Sequence, residues 1–379
     1  LDPFCGSGSI MVGAAQHGRN SVGIDINPLA AFVSRVKLSP LARGDIAAAV
    51  AFLQCFETAL GAVGPWPVPA LRIATKVFEP DILDALLRLR ALIEEEARST
   101  AQRDFLLLAW LAILQDVGSY FKEGNGIKYR NRKRRPGGYV LRPDGHWQRE
   151  RFGTDQAAFV RAAFRRQLTA MLADVPAWGS AGGDWAEQRV IEGNALEEMA
   201  KLDAGSFDSV VFSPPYANRF DYFESQKVEL WFGGFVDSYD GLLALRKRSL
   251  RSHLSAALGD AVVELPELDD LIDRMDPTSS AIRMRVPKLL RGYFSDMAEV
   301  LRRCRALLGP GGECCVVVGN SAYGGVIIPT DVLIARLGLA AGFSAAAVVP
   351  VRHLTVAPQQ RSGLRGREEL MRESLVVLT

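Results

Sequence analysis

Apolar runs of strand length alternate with helical periodicity in the first forty residues. Short strands are predicted at residues 1–4 and 21–26, and helices at 10–17 and Pro28–Leu38. Gly18 follows the first helix and Pro28 opens the second, which are typical positions for these residues at helix ends. A strand, a glycine turn, a helix, a strand and a second helix form half of a doubly wound α/β sheet.

The same alternation returns from residue 189 to the end of the chain. Strands are predicted at 189–192, 207–212, 314–318, 343–351 and 374–378, and helices at 195–202, 287–308 and 330–341. The loop between the last two strands has no helix long enough for a parallel crossover, so these strands should pair antiparallel. We therefore predict an α/β fold with a doubly wound sheet whose last strand is antiparallel.

Between these two parts the pattern is helical. From about residue 45 to 175 the spacing predicts helices at 46–60, 77–97, 103–121 and 156–173, with almost no strand signal. Pro65, Pro67 and Pro69 mark a linker. We expect three segments: 1–41 as the first part of the sheet domain, 42–187 as a mostly helical insertion, and 188–379 as the second part of the sheet domain.

Composition narrows the class of protein. With 379 residues and 48% hydrophobic content, the chain can bury a core, which excludes global disorder. Charged residues or glycine interrupt every apolar run before it reaches the length of a membrane span. The net charge of +2 means that any affinity for nucleic acid must come from local patches. Because Leu1 lies directly before a chemical motif, we expect the chain to be a fragment that lacks most of its first strand and has little activity as it stands.

Cysteine and histidine positions predict neither a disulfide framework nor a metal site. The five cysteines lie at 5, 55, 304, 314 and 315, and the histidines at 17, 146, 253 and 353. Neither set has the spacing of metal ligands. Cys314 and Cys315 lie in an apolar strand, which suits buried thiols in a reducing cytoplasm.

A glycine-rich turn opens the chain, Asp2-Pro3-Phe4-Cys5-Gly6-Ser7-Gly8. Glycines at a strand-to-helix turn let backbone amides approach a ligand closely. Asp25 ends the next predicted strand, where an acid commonly accepts hydrogen bonds from ribose hydroxyls. Alone, such a turn is more often just a tight connection.

A second motif, Ser213-Pro214-Pro215-Tyr216, follows the predicted strand at 207–212. Two consecutive prolines fix the backbone and have no N–H of their own. The Ser213 hydroxyl and the proline carbonyls can therefore point at a substrate, and Tyr216 offers a flat ring. A rigid loop that caps the sheet is an equally good explanation of this motif alone, although ligands also bind at such strand ends.

Together these motifs resemble those of S-adenosylmethionine-dependent amino-group DNA methyltransferases, the N4-cytosine/N6-adenine family. The matching segments are Asp2-Pro3-Phe4-x-Gly6-Ser7-Gly8, Gly23-Ile24-Asp25-Ile26-Asn27-Pro28, Glu192-Gly193-Asn194-Ala195 and Ser213-Pro214-Pro215-Tyr216. The resemblance covers residues 1–38 and 189–379 but not the helical insertion. It implies a Rossmann-like methyltransferase fold and a role in restriction-modification.

The resemblance implies S-adenosylmethionine as the cofactor and assigns its contacts. Phe4 and the backbone of Gly6, Ser7 and Gly8 would face the methionine moiety. Asp25 would bind the ribose, and Asn194 would lie beside the adenine, where the family more often has an Asp. Asp2 would orient the glycine turn or contact the amino group of the cofactor.

By the same resemblance, Ser213, Pro214, Pro215 and Tyr216 form the catalytic motif. The Ser213 hydroxyl and the Pro214 carbonyl would bind the hydrogens of an exocyclic base amine, and Tyr216 would stack on the base. Direct in-line transfer depends on positioning, and the base must leave the duplex to reach the site. A serine before Pro-Pro-Tyr favours cytosine N4, with adenine N6 next.

A basic stretch lies within the predicted insertion. Its cationic residues are Lys128, Arg130, Arg132, Lys133, Arg134 and Arg135. Phosphate neutralisation with aromatic stacking on Tyr129, Tyr139 and Trp147 would use this composition, whereas a bare charge run is usually a solvated surface. Because the neighbouring site would act on nucleic acid, we expect contact with DNA. The helical block would read DNA sequence or dock a restriction or specificity partner.

Two other functions stay open at this point. An RNA methyltransferase acting on guanine N2 has a similar glycine motif and Pro-Pro-Tyr loop, usually preceded by Asp or Asn rather than a serine such as Ser213. A non-catalytic nucleic-acid-binding module that keeps the fold is the other alternative. The presence of both complete motifs disfavours it.

Overall fold

The protein is described by a computed structural model with both helices and strands, which confirms the α/β class. The structure describes residues 1–124, 126–129, 134–135, 139–141, 147–149, 155–179, 186–259, 263–355, 362–364 and 366–379. The helices are α1 (Ser9–Gln16), α2 (Pro28–Leu38), α3 (Arg43–Ala59), α4 (Ala74–Val77), α5 (Pro80–Glu96), α6 (Thr100–Val117), α7 (Gln156–Gly179), α8 (Ala195–Met199), α9 (Tyr222–Ser225), α10 (Lys227–Phe232), α11 (Tyr239–Arg248), α12 (Pro266–Asp273), α13 (Ser280–Arg283), α14 (Val286–Leu307) and α15 (Thr330–Ala340). The strands are β1 (Ser21–Asp25), β2 (Tyr120–Glu123), β3 (Gly126–Tyr129), β4 (Arg134–Arg135), β5 (Tyr139–Leu141), β6 (Trp147–Arg149), β7 (Gln188–Glu192), β8 (Phe207–Phe212), β9 (Leu308–Gly319), β10 (Ser321–Tyr323), β11 (Val326–Ile328), β12 (Ala346–His353) and β13 (Arg372–Leu378).

The chain divides into two compact units. The sheet unit comprises Leu1–Ser34, Ala186–Asp221 and Leu242–Thr379. The helical unit comprises Arg35–Trp185 and Tyr222–Gly241. Each unit therefore contains segments that are distant in sequence.

Parallel strands and one antiparallel strand form the sheets that matter for the site. β1 pairs in parallel with β7, and β8 pairs in parallel with β9. The backbone of residues 1–2 forms hydrogen bonds with one strand of each pair. The Leu1 carbonyl accepts from Val211 N of β8 at 2.9 Å, and the Asp2 carbonyl accepts from Ile24 N of β1 at 2.8 Å. The predicted first strand is thus present as a short segment between β1 and β8.

The last strand is antiparallel, as its short connection predicts. β13 lies between β9 and β12 and runs antiparallel to both, with Val376 opposite Val316 and Val348. Val376 and Val316 are fully buried, which fixes the register because a shift by one residue would turn these side chains to the other face.

The long helix α14 supplies much of the core of the sheet unit. Its buried side chains recur at helical spacing and include Tyr293, Phe294, Met297 and Leu301, all fully buried. They belong to one cluster with Val210 and Phe212 of β8 and with buried residues of β9 and β13. This packing supports the strand that carries the second motif.

The helical unit confirms the predicted helices of the insertion. α3, α5, α6 and α7 pack against one another, and rings from α3 and α7 meet at Phe56 and Phe164, with centroids 5.3 Å apart. Trp110 is fully buried in α6 and donates its indole N–H to the Leu86 carbonyl of α5 at 2.9 Å. A buried indole is stable here because its one polar atom is satisfied.

Two predicted helix limits are wrong. The helix predicted at 103–121 ends at Val117, and Phe121 lies in β2. A Cβ at Gly118 would lie 2.4 Å from the Tyr120 ring, so this close approach needs glycine and turns the chain out of the helix. The helix predicted from residue 77 starts at Pro80, because a residue before proline favours an extended backbone, as Glu79 shows with ψ 152°.

The prediction of almost no strand in the insertion is also wrong. β2 and β3 form an antiparallel hairpin, and β4, β5 and β6 form a small antiparallel sheet. Strands of two to four residues are too short for periodicity to reveal. For the same reason the pattern did not predict α9, α10 or α13, and the more polar α11 and α12 were missed with them. Among the described helices, none has the length and apolar character to cross a membrane.

Candidate active site

The glycine turn lies between the first strand segment and α1. Gly6 and Gly8 have φ values of 53° and 76°, a left-handed conformation that favours glycine. Gly8 N donates to the Cys5 carbonyl at 2.7 Å, and Gly6 N donates to Asp25 Oδ2 at 2.9 Å. The turn is therefore tied to the carboxyl end of β1 by a predicted site residue.

Close packing explains why the turn needs its second glycine. A Cβ at Gly8 would lie 2.8 Å from Ser34 Oγ. Ser34 is fully buried and donates to the Gly6 carbonyl at 2.8 Å. A Cβ at Gly6 would meet only the Phe4 carbonyl, at 4.0 Å, so this side of the turn is open for a ligand to approach the backbone. Ser34 was not predicted, since nothing in α2 marks it as a partner of the turn.

Two acids beside the turn have raised pKa values. Burial raises the pKa of Asp25 to about 6, although the N–H groups of Asn27 and Gly6 favour the charged form. Burial likewise raises the pKa of Asp2 to about 7, and Asp2 Oδ1 accepts from Phe4 N at 3.0 Å. Asp2 is therefore placed to orient the turn, which is one of its two predicted roles.

Asn194 has a clear local role. Its Oδ1 accepts from Leu196 N at 2.8 Å and so caps α8, while its Nδ2 donates to the Arg248 carbonyl at 2.6 Å. Gly193 N donates to the Asp25 carbonyl at 2.9 Å. Both ends of the Asn194 amide are thus used within the chain, in the turn next to Asp25.

The second motif follows β8 directly. Ser213 is exposed, Pro214 is buried, and Pro215 and Tyr216 are half-buried. Ser213 Oγ donates to Tyr216 Oη at 3.4 Å, and Tyr216 Oη donates to Glu373 Oε1 at 2.6 Å. The tyrosine hydroxyl therefore connects the exposed serine to a carboxylate on β13.

Three residues that support Tyr216 were not predicted. A Cβ at Gly319 would lie 2.9 Å from Tyr216 Cε2, so the ring occupies the space that a side chain would fill. Glu373 also pairs with Arg352, whose hydrogen bond holds the pKa of Glu373 below its ordinary value. Glu373 lies directly before the predicted strand 374–378 and within β13, and a charged residue there was the only available signal.

The loop after the motif is held by further contacts. The Tyr323 hydroxyl donates to the Ala217 carbonyl at 2.7 Å, and burial raises the Tyr323 pKa to about 12. Arg219 has a φ of 66°, and its guanidinium lies 5.5 Å from the centre of the Tyr323 ring. Asp221 ends the loop in an ion pair with Arg246 at 2.6 Å. The backbone that follows the motif is thus fixed at both ends.

The two motifs are neighbours. Phe4 of the glycine turn and Phe212, the residue before Ser213, have ring centroids 5.7 Å apart. Both motifs leave the carboxyl ends of adjacent strand segments, the usual location of a ligand site in an open α/β sheet. The structure therefore brings together the predicted cofactor and catalytic residues at residues 2–8, Asp25 and 213–216.

The aromatic residues after the second motif differ in their surroundings. Within the helical unit, Phe223 is buried and Tyr222 is exposed. Phe220 is half-buried and belongs to the sheet unit, where its N–H donates to Asn218 Oδ1 at 3.0 Å. Phe223 therefore packs inside the helical unit, at the start of α9.

Part of the predicted basic stretch can be placed. Lys128 lies in β3 with an exposed side chain that pairs with Glu123 at 3.3 Å. Arg134 and Arg135 form β4, for which only the strand is described. Arg130, Arg132 and Lys133 lie outside the described residues.

The site thus combines a glycine turn, an acid at the end of the next strand and a neighbouring Ser-Pro-Pro-Tyr loop, an arrangement that resembles the sites of α/β methyltransferases. Curated proteins support this class. The Type II methyltransferase M.AvaI of Nostoc sp. (strain PCC 7120) is 22% identical over 98% of this chain and 78% of its own length. M.BsoBI of Geobacillus stearothermophilus is 23% identical over 100% of this chain and 79% of its own. M.MvaI of Kocuria varians is 21% identical over 89% of this chain and 73% of its own length.

These similarities confirm the resemblance to DNA methyltransferases that the motifs predict. They also confirm the prediction of a methyltransferase enzyme. Because they span nearly the whole chain, they include the helical insertion, which the motif resemblance did not cover. No family model matches the chain, and no solved structure matches it.

Proposed function

We propose that the chain transfers a methyl group from S-adenosylmethionine to the exocyclic amine of a DNA base, with cytosine N4 favoured over adenine N6. The observation that carries this proposal is the adjacency of the two motifs, with Phe4 and Phe212 rings 5.7 Å apart. A Rossmann-like arrangement of the sheet unit and a role in restriction-modification are parts of the same proposal. The similar Type II methyltransferases support it.

The glycine turn is suited to hold S-adenosylmethionine. The open side of Gly6 gives a ligand access to the backbone, and Phe4 and Ser7 flank this access. Asp25 accepts one N–H on each oxygen, which leaves each oxygen a lone pair for a ribose hydroxyl. Asn194, as the cap of α8, would shape the turn beside the adenine. The cofactor supplies an electrophilic methyl group on a sulfonium.

The second motif would bind and activate the base amine. An exocyclic amine is a weak nucleophile because its lone pair is delocalised into the ring. The Pro214 carbonyl and the Ser213 hydroxyl would accept the amine hydrogens and stabilise the positive charge that develops on nitrogen. Tyr216 would contact the base with its ring. Because these groups are fixed before the base arrives, positioning supplies much of the rate.

The basic stretch and the helical unit would serve the nucleic acid. We propose that Lys128, Arg130, Arg132, Lys133, Arg134 and Arg135 neutralise phosphates, and that the base leaves the duplex to reach Ser213. We propose that the insertion at 42–187 recognises the target sequence or docks a specificity partner. The five free cysteines are consistent with a cytoplasmic location, which we retain as part of this proposal.

Transfer of a labelled methyl group tests the function directly. The chain, both as it stands and with a strand segment added before Leu1, is incubated with methyl-labelled S-adenosylmethionine and either unmethylated duplex DNA or RNA, beside a Ser213→Ala variant. We expect label in DNA only, and a loss of transfer of about 10² in Ser213→Ala with unchanged cofactor binding. Asn218→Ala, a change at a second exposed loop residue, measures how far any loop change lowers transfer.

Three outcomes would contradict the proposal. Label in RNA alone would favour the guanine-N2 alternative. Cofactor binding without label in either nucleic acid would favour a non-catalytic module. Full activity of Ser213→Ala would remove the serine from the catalytic group.

A further inference from the structure

A chain of hydrogen bonds runs from the catalytic serine to an ion pair on the sheet. Ser213 Oγ donates to Tyr216 Oη at 3.4 Å, and Tyr216 Oη donates to Glu373 at 2.6 Å. Arg352 donates to both oxygens of Glu373, with its NH2 group 3.2 Å from Oε1. The Glu373 side chain is only 12% exposed, whereas Arg352 is 66% exposed.

The register of three strands creates this arrangement. Glu373 of β13 lies opposite Gly319 of β9 on one side and Arg352 of β12 on the other. Gly319 has no side chain, and the Tyr216 ring fills the space above it. The tyrosine hydroxyl therefore reaches the next residue in the row, the carboxylate of Glu373. A side chain at the Gly319 position would block this contact.

The number of available hydrogens determines which group donates in each of these hydrogen bonds. An ionised carboxylate can only accept, and a tyrosine hydroxyl has a single hydrogen. The short bond to Glu373 takes that hydrogen, so Tyr216 Oη can only accept from Ser213. The hydrogen of Ser213 is then directed towards Tyr216 Oη across 3.4 Å, and the lone pairs of Ser213 Oγ are what remains for a substrate.

We propose that Glu373 is a positioning residue that, through Tyr216, fixes Ser213 as a hydrogen-bond acceptor for the base amine. The inference rests on the proposed function. When the amine nitrogen takes the methyl group from the sulfonium it becomes positively charged and then loses one proton, so hydrogen-bond acceptors around its hydrogens favour the transfer and a donor opposes it. Glu373 contacts neither the base nor the cofactor in this role. It determines which way the serine hydroxyl points, and Arg352 keeps Glu373 ionised.

The first test is Glu373→Gln, which keeps the size of the side chain. Arg352 would bind the amide oxygen and leave the amide nitrogen towards Tyr216 Oη. The amide would then donate to Tyr216 Oη, and Tyr216 would donate to Ser213 Oγ. Ser213 would be left to direct its own hydrogen at the amine. We expect kcat to fall roughly ten- to hundredfold, with cofactor affinity and thermal unfolding unchanged. Glu369→Gln is the matched control, since Glu369 is exposed and lies four residues earlier.

Two further variants separate this role from simple packing. Tyr216→Phe keeps the ring and removes the hydroxyl, so it should lower kcat as Glu373→Gln does. In Arg352→Ala the pKa of Glu373 rises towards its ordinary value. When the pH is lowered, kcat should therefore begin to fall at a higher pH in this variant than in the wild type. Among the residues that the structure describes, the ionisable groups that face Glu373 are Arg352 and Tyr216.

The outcomes distinguish the inference from the function itself. A wild-type chain that transfers no methyl group contradicts the proposed function. An active wild type with Glu373→Gln and Tyr216→Phe both equal to Glu369→Gln contradicts the inference and leaves the function standing. The inference is also contradicted if Glu373→Gln lowers kcat but the acidic decline of kcat in Arg352→Ala occurs at the same pH as in the wild type. A purely structural role of Glu373 predicts that combination.

Discussion

Asp25 is a buried acid that we assign to the proposed cofactor site. It lies at the end of β1, accepts hydrogen bonds from Gly6 N and Asn27 N, and has a pKa raised by burial to about 6. Burial makes its charge costly in the free protein, and in our proposal the ribose hydroxyls of the cofactor donate to it. Binding of the cofactor should therefore depend on pH near neutrality.

We expect S-adenosylmethionine to bind more tightly as the pH rises through about 6, because the carboxylate becomes charged there. Asp25→Asn should lose about tenfold in affinity at pH 8, since hydrogen bonds to a charged acceptor are the stronger ones. It should also lose the part of the pH dependence centred near pH 6, whereas the contribution of Asp2 near pH 7 remains. Calorimetric titration between pH 5 and 8 measures both.

The pH dependence of stability has the opposite sign. The folded pKa of Asp25 lies above its unfolded value of 3.8, so its contribution to stability is full below that value and falls as the pH rises through about 6. A change in binding that merely followed stability would therefore weaken with rising pH. Asp203→Asn, at an exposed position of the sheet unit, is the control. Unchanged binding in Asp25→Asn would exclude Asp25 from the cofactor site.

At this scale the sequence predicted the residues that belong to compact motifs. Asp25 and Ser213 could be found because each lies at a strand end within a recognisable segment. Ser34 and Glu373 could not, because each contacts its motif only through the fold, Glu373 from 157 positions away. Asn194 was predicted as a cofactor contact, which stays a prediction, and its capping of α8 depends on backbone geometry that the sequence does not display.

At the scale of elements, the glycine turn is the feature most sensitive to change. Gly8 has a φ of 76°, and a Cβ added there would lie only 2.8 Å from Ser34 Oγ. Gly18, after α1, has a φ of 66° but nothing within 4 Å of an added Cβ. The two glycines therefore separate backbone strain from steric overlap.

We expect Gly18→Ala to lower the free energy of unfolding by about 1–2 kcal/mol, from backbone conformation alone. Gly8→Ala should lose about 1–3 kcal/mol more, because the new methyl overlaps Ser34 in a buried site. Urea unfolding of both variants measures the difference. Equal losses would mean that Ser34 moves aside freely and does not hold the turn.

Element prediction succeeded where segments are long and periodic. The strands of the sheet and the helices α3, α5, α6, α7, α14 and α15 follow from the spacing of apolar residues. Prediction failed for β2 to β6, which have four residues or fewer, and at the end of α6, where the Tyr120 ring decides the backbone at Gly118. Short strands depend on partners rather than on their own pattern.

At the scale of the whole molecule, the near-zero net charge conceals a concentrated basic stretch. The chain carries 45 Lys and Arg against 43 Asp and Glu, yet six cations lie within 128–135. Phosphate binding depends on such local concentration rather than on net charge. The sequence could locate this stretch but not determine which nucleic acid meets it.

We expect replacement of Arg130, Arg132, Lys133 and Arg134 by Gln to weaken DNA binding for all sequences alike. The slope of log affinity against log salt should fall by about 0.9 for each phosphate that the variant no longer neutralises. Fluorescence anisotropy over a salt series measures the slope, and cofactor binding should be unchanged. Lys201→Gln, at an exposed lysine of the sheet unit, is the control. An unchanged slope would make the basic stretch a solvated surface.

The identity of the methylated base is the decisive test of the proposed function. The chain, both as it stands and with a strand segment added before Leu1, is expressed in a host without DNA methylation, and the nucleosides of the host DNA are separated and identified by mass spectrometry. We predict N4-methylcytosine, confined to one sequence context. N6-methyladenine in its place would contradict the choice of cytosine, and unmodified DNA from cells whose purified chain binds S-adenosylmethionine would contradict the claim that this chain is a DNA methyltransferase.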